Sequence, residues 1–277
     1  MTTKERAIEA AKNVSYYNEN FPDLIKESIS KTQVYRKNSS FISLVEPLKK
    51  KVENSISFQI IKNYNAPIES LRKIFSIPSY KNKRIAILNA GDYKNAGGRF
   101  LKGGTSQECL LCQNSFLYNV LSSFNKEYYV VNQRKLNKSL YAHTALYTPD
   151  INFFLSEKEN NLLRTNIDVI TYSPPNMDAF YAKNIAVVDR YNLLPTILKE
   201  RFNFIKNICE LNNIEILIIN GLNYKPLVAY KTIRQEFQLS STIETIIYTP
   251  NNFFEYQLIE DLRKISIFNY KIFYEEF

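Results

Sequence analysis

Arg84-Ile-Ala-Ile-Leu-Asn89-Ala-Gly91-Asp-Tyr-Lys-Asn-Ala-Gly97-Gly98-Arg99-Phe100-Leu-Lys-Gly103-Gly104-Thr-Ser106-Gln107-Glu108-Cys109 holds five of the chain's six glycines within fourteen residues. An average protein is about 7% glycine, so a chain of 277 residues with six of them has all but one of its glycines here. Glycine costs backbone entropy and gathers where φ must be positive or where a ligand comes close to the main chain. The run follows a buried-strand pattern, Ile85–Leu88, and precedes a helical pattern that starts near Ser106. A strand, a glycine-rich turn and a helix start together aim backbone N–H groups at an anion, usually a phosphate. Neither a P-loop nor a dinucleotide fingerprint is present, because no Gly-Lys-Ser/Thr follows and the G-x-G-x-x-G spacing fails. A flexible surface loop is the plain alternative; the place at the carboxyl end of a strand favours a ligand site.

On either side the pattern reads as α/β. Apolar runs at Ile85–Leu88, Tyr128–Val131, Ala145–Tyr147, Ile167–Ile170, Ile214–Ile219 and Ile243–Tyr248 are strand candidates. Helical patterns lie between several of them, at 106–124, 189–212 and 226–238. Some strand spacings are too short for helical crossovers, so the expected sheet is mixed. The first 80 residues read as mostly helical, with helical spacing at Glu5, Ala7, Ile8 and Ala11, helices after Pro22 and over Ile68–Phe75, and Ile56–Ile60 as a strand. The expected organisation is a helical N-terminal extension over 1–55 and one α/β domain over 56–277.

Composition narrows the function classes. Apolar residues at 45%, with 20 Tyr and 18 Phe, supply enough area for a packed core and exclude disorder as the main state. No run approaches the roughly 20 uncharged apolar residues that span a bilayer, and the N-terminal segment lacks a secretory h-region. Three cysteines, Cys109, Cys112 and Cys209, make no disulfide framework, so reduced thiols and an intracellular protein are expected, with no membrane partner. The net charge of +9 permits nonspecific nucleic-acid binding. Its lysines are scattered, however, and match the Lys-Asn-Ile-Tyr bias of an AT-rich genome.

The glycine stretch resembles the signature of microbial-type poly(ADP-ribose) glycohydrolases. Asn89, Lys94, Gly97, Gly98, Phe100, Leu101, Gly103, Gln107 and Glu108 fall in its register without a gap, and Leu111-Cys112 and Ser115-x-Leu-Tyr118 continue it. Leu146-Tyr147-Thr148-Pro149 and Ile167-Asp-Val-Ile-Thr-Tyr-Ser-Pro-Pro-Asn176 are similar to two further blocks, and Ile56–Arg72 to the strand-Asn-helix before the core. The resemblance implies a macrodomain-like three-layer α/β/α fold with a mixed central sheet. It implies a pocket for ADP-ribose or an ADP-ribosylated protein, with no cofactor and no metal. Asn89 would form the pocket floor, Gly97, Gly98 and Arg99 a phosphate cradle, with Phe100 and Gln107 beside them, and Glu108 would hold ribose hydroxyls.

Two departures bear on catalysis. Arg99 stands at the family's third loop glycine, and Cys109 at the second Glu of Gln-Glu-Glu, the family's catalytic acid. A third lies after Ile214–Ile219, where Asn220-Gly-Leu-Asn-Tyr-Lys-Pro-Leu227 leaves only Gly221 of a glycine loop. Cleaving a ribosyl bond needs an acid for the departing hydroxyl and a base for water. A thiol is about four pKa units weaker than a carboxylic acid, and losing acid–base help removes about 10²–10⁴ in rate. The expected function is therefore ADP-ribose binding with impaired catalysis. The alternatives are an active ADP-ribosyl hydrolase using Glu108 and a basic nucleic-acid- or protein-binding module. A helix start is expected to favour the ionised form of Glu108, against acid duty. Arg99 would either clamp phosphate or narrow the path of a polymer end. Cys109 as a thiolate nucleophile is a further option. Cys109 and Cys112 lack the second pair of ligands for a zinc site. His143 is the only histidine and has no nucleophile near it in sequence. Asp92 and Asp168 would either meet an adenine amine or cap and support the backbone.

Overall fold

Thr2 opens the first helix through a reciprocal cap. Its hydroxyl accepts from the Glu5 amide at 3.2 Å, and the Glu5 carboxylate accepts from the Thr2 amide at 2.6 Å. The computed structural model describes residues 1–37, 56–60, 67–134, 137–156, 162–183, 190–220, 222, 226–238 and 240–249. Among these the helices are α1 (Thr3–Asn20), α2 (Pro22–Lys31), α3 (Pro67–Phe75), α4 (Gln107–Gln113), α5 (Leu117–Leu121), α6 (Val130–Arg134), α7 (Met177–Lys183), α8 (Arg190–Leu211) and α9 (Pro226–Phe237). The strands are β1 (Gln33–Arg36), β2 (Ser57–Ile60), β3 (Ile85–Ala90), β4 (Thr144–Ser156), β5 (Leu162–Tyr172), β6 (Ile216–Asn220) and β7 (Thr245–Thr249). The chain divides into two compact units, Met1–Arg36 with Ile87–Lys183, and Lys37–Ala86 with Asn184–Phe277.

The first unit carries strands in the order β1-β4-β5-β3. β1 pairs antiparallel with β4 (Gln33↔Tyr147) and β4 antiparallel with β5 (Tyr147↔Ile170). A bulge between Thr148 and Ile151 puts Asp150 at φ 58°. Asp168 holds that bulge. Its carboxylate accepts from the Asp150 amide at 3.0 Å and from the Tyr147 hydroxyl at 2.6 Å, and the residue is buried. Of the two roles open to Asp168, the structure gives it the backbone-supporting one.

Helix α1 lies on this unit by apolar and polar contacts together. Tyr17 stacks on Phe154 with ring centroids 5.3 Å apart, and Phe21 packs on the same ring at 5.0 Å. Asn119 Nδ2 donates to Val14 O at 3.0 Å and to Asn18 Oδ1 at 2.8 Å.

Three local expectations are corrected. Tyr128–Val131 is no strand: Asn125–Tyr129 is a single π-helical turn that runs into α6. Two adjacent buried tyrosines need cover on both sides, which a helix under a sheet supplies as well as a strand does, and a four-residue apolar run cannot tell the two apart. The helix expected over 106–124 breaks after Gln113. Ser115 forms an isolated antiparallel bridge with Phe153, and its hydroxyl donates to Leu111 O at 2.7 Å and accepts from Leu117 N at 3.2 Å. The N-terminal region also contains β1, a strand where helix was expected. Residues 38–55 of that region lie outside the described residues, and so do 61–66 of the Ile56–Arg72 block.

The second unit is built on parallel pairing, in the order β6-β7-β2 (Ile216↔Thr245, Ser57↔Thr245). β6 and β7 are buried along their full length, which is why both read as continuous Ile-rich runs without alternation. Phe58 meets Tyr230 of α9 edge-on at 4.9 Å. Lys83 bridges Glu215 and Glu244, each at 2.8 Å. Antiparallel pairs in the first unit and parallel pairs in the second make the sheet content mixed, as expected. Gly221 lies outside the described residues.

Candidate functional site

β3 is buried from Ile85 to Asn89 and delivers the chain to Gly91, whose amide donates to Tyr172 O of β5 at 2.9 Å. The loop then turns on three left-handed glycines, Gly97 (φ 65°), Gly98 (φ 59°) and Gly103 (φ 72°). Ser106 caps α4 through a 3.4 Å bond from the Cys109 amide. Gln107, first in the helix, ties α4 to β3: its Nε2 donates to Leu88 O at 2.9 Å and its Oε1 accepts from Ala90 N at 3.3 Å. The next two residues thereby face the loop.

A cavity of about 440 Å³ opens there, within the 300–1,000 Å³ usual for small-molecule sites. Glu108 and Cys109 of α4 line it together, with Gly91, Asp92, Gly98 and Arg99 of the loop. Two residues from α1, Thr3 and Arg6, complete the wall. Nothing in the spacing of the glycine stretch pointed to them, since they lie about a hundred positions earlier in the chain.

Glu108 is 1% exposed. Its Oε2 accepts from the Asp92 amide at 2.8 Å, and Oε1 lies 3.5 Å from Asn89 Nδ2. Burial pushes its pKa up to about 8. The Asp92 carboxylate adds to the rise, while the bonds from Asp92 N, Asn89 and the Gly97 main chain oppose it. This overturns the expectation of an ionised Glu108. A helix start contributes roughly 0.3–1 kcal/mol, whereas one pKa unit is worth about 1.4 kcal/mol; desolvation is the larger effect by a wide margin. At neutral pH the carboxyl is mostly protonated.

The pocket's backbone shape depends on that side chain. A Cβ on Gly98 would sit 3.2 Å from Glu108 Oε2, and one on Gly91 would sit 2.7 Å from Thr171 Cγ2 and 3.2 Å from Glu108 Oε1. Asn89 is fully buried, bonds Thr171 Oγ1 at 3.1 Å, and stands behind Glu108 instead of on the pocket surface. Asp92 caps the turn, with Oδ1 accepting from the amides of Lys94 (2.7 Å) and Asn95 (2.8 Å). Phe100 is buried against Tyr118, ring centroids 5.4 Å apart.

Cys109 is buried but faces the cavity. Its Sγ accepts from the Ser106 hydroxyl at 3.1 Å and donates to Gly97 O at 3.5 Å. Arg99 is exposed at the rim. Cys112 is fully enclosed one turn later, and burial raises its pKa. His143 and Asp168 do not line the cavity. Among the described residues no cluster of three or more His, Cys, Asp or Glu is arranged to hold a metal ion, and no helix is long and apolar enough to cross a membrane.

Solved structures of similar fold carry the same architecture. A poly(ADP-ribose) glycohydrolase from Thermomonospora curvata superposes with a TM-score of 0.73 at 17% identity, over 89% of this chain and 93% of that one. The T. curvata enzyme bound to the inhibitor ADP-HPD gives 0.72 at 15%, over 94% and 99%. The Deinococcus radiodurans glycohydrolase in complex with ADP-ribose gives 0.68 at 20%, over 87% and 96%. The fold is thus the expected macrodomain-like three-layer α/β/α class with a mixed sheet. The family model of the microbial-type PARG catalytic domain matches residues 4–156, more than half of the chain, and the chain belongs to that family. No curated protein matches it.

Proposed function

We propose that the protein binds ADP-ribose or ADP-ribosylated protein through this pocket, with glycohydrolase chemistry impaired at residue 109. The observation that carries the reading is the pairing of Glu108 with Cys109 on the wall of a glycine-framed cavity. The frame for a ribose survives, while a thiol stands where the family signature has its second Glu. Asn89, Gln107 and Phe100 act as supports that fix α4 and the loop, buried Gly97 supplies a left-handed turn behind the cavity, and Gly98 and Arg99 are the ligand-facing backbone and rim. Cys109 Sγ lies between the Ser106 hydroxyl and Gly97 O, a position that supports its reading as part of the pocket wall.

Hydrolysis through Glu108 is the second reading, favoured by its burial and largely protonated state. One such carboxyl can give a proton to a departing hydroxyl. It must also be within reach of that oxygen while held by the Asp92 amide.

Incubation with poly- and mono-ADP-ribosylated protein separates the two. Under the leading reading the wild type releases little ADP-ribose and Cys109→Glu raises the rate by about 10²-fold or more. Release by the wild type that Glu108→Gln abolishes would transfer the case to the second reading.

A further inference from the structure

Cys109 and Cys112 stand three residues apart on α4, so they share one face of the helix. Helical rise and rotation put their Cα atoms about 5 Å apart, inside the 4.4–6.8 Å that a disulfide spans. Both are free thiols. They differ in access. Cys109 faces the cavity, whereas Cys112 is 1% exposed and does not line it. Burial, and then the nearby Glu108 and Cys109, raise the pKa of the Cys112 thiol and keep it protonated.

The Cys109 sulfur is held by weak contacts only. Sγ lies 3.1 Å from the Ser106 hydroxyl and 3.5 Å from Gly97 O. It fills room left by Gly104, where a Cβ would come within 3.0 Å of it. Gly104 lines the cavity as well, so a small reagent entering there meets the sulfur. Helical Cβ atoms three residues apart are about 5–6 Å from each other, and a disulfide needs about 3.5–4.5 Å, so closure tightens the first turn of α4 by about 1–2 Å. That movement takes Sγ off Ser106 and Gly97. The Gly97 main chain also bonds Glu108, and closure therefore reaches the carboxyl beside it.

We infer that Cys109 and Cys112 form a peroxide-reactive pair, with Cys109 the thiol attacked from the cavity and Cys112 the resolving thiol behind it. In the first step the Cys109 sulfur takes one oxygen from hydrogen peroxide. The O–O bond breaks, the other oxygen leaves as water with the thiol proton, and Cys109 becomes a sulfenic acid. In the second step the Cys112 sulfur attacks Cys109 Sγ. The S–S bond forms, the S–O bond breaks, and the hydroxyl leaves as water with the Cys112 proton. Two thiols are oxidised and one peroxide is reduced to two waters. The pair stands whether or not the pocket takes ADP-ribose.

Hydrogen peroxide on the folded full chain tests it, followed by denaturation, alkylation of the remaining thiols and mass spectrometry of the unreduced tryptic digest. The segment Gly103–Lys126 carries both residues. It is expected to lose two hydrogens and take no alkyl group, and to recover both thiols in dithiothreitol. Cys209, fully buried in α8, is expected to be alkylated throughout. In Cys112→Ala the reaction should stop at a Cys109 sulfenic acid that dimedone traps. In Cys109→Ala, Cys112 should react about tenfold or more slowly than Cys109 does in the wild type. The wild-type digest decides even if a variant fails to fold. Cys109 accumulating as sulfenic or sulfinic acid while Cys112 is still alkylated would overturn the pairing. Alkylation of both residues after a dose that oxidises free cysteine in the same tube would overturn the reactive site altogether.

Discussion

The two ends of the glycine loop look alike in sequence and do different work. At Gly91 and Gly98 the missing side chains leave room for the Glu108 carboxyl and for the cavity in front of it. At Gly103 the missing side chain leaves room for the main chain of α1. One end makes space for a cavity and the other makes space for its wall. A close approach to backbone is what a glycine cluster announces, and the partner in that approach can be a ligand or the protein itself.

The largest effect should come from the walled end. Gly103→Ala places a methyl group against Thr3 O in a backbone region that L-residues disfavour by about 1–2 kcal/mol before any clash. A loss of about 3 kcal/mol or more is expected, read as a fall in Tm of roughly 6–12 °C. Gly98→Ala meets the end of the Glu108 side chain at 3.2 Å and Asp92 Cβ at an ordinary 3.4 Å, so the left-handed backbone sets its expected fall at roughly 2–8 °C. Its signature is a disturbed Glu108 and weakened ligand binding. Thermal melts of the two variants side by side test this, and greater damage to stability from Gly98→Ala would contradict the division of roles along the loop.

Glu108 sharpens the same contrast through pH. Its folded-state pKa of about 8 lies above the ordinary 4.5, so the folded chain holds a proton that the unfolded chain releases. Stability is then lost as pH rises through the window from about 4.5 to about 8 and is level beyond it. Gln at this position has no proton to lose. The Tm of Glu108→Gln relative to wild type should climb between pH 5 and pH 8. A constant gap across that range would show that the carboxyl is not buried as described.

How much of this was legible in the sequence follows from the range of each interaction. β3, the loop and the start of α4 were read well because strand burial, glycine content and helix onset are local signals. The parallel strands β6 and β7 were plain for the same reason, as unbroken apolar runs. β1 was missed: its four residues gain their strand character from the edge of β4, which the chain reaches more than a hundred residues later. The break at Ser115 likewise depends on Phe153, a partner remote in sequence. In the site, Glu108 and Cys109 were found from their motif. The protonation of Glu108 was misjudged because burial is a property of the folded surroundings, and the shares of Thr3 and Arg6 were invisible until α1 was seen resting on Gly103.

The proposed binding requires the cavity framed by Gly98 and Glu108 to admit ADP-ribose. Titration calorimetry of the wild-type chain with ADP-ribose tests it most directly. Saturable heat at one site per chain, weakened at least tenfold by Gly98→Ala, is the predicted result. No heat and no thermal shift at millimolar ADP-ribose, in a chain that melts cooperatively, would contradict it.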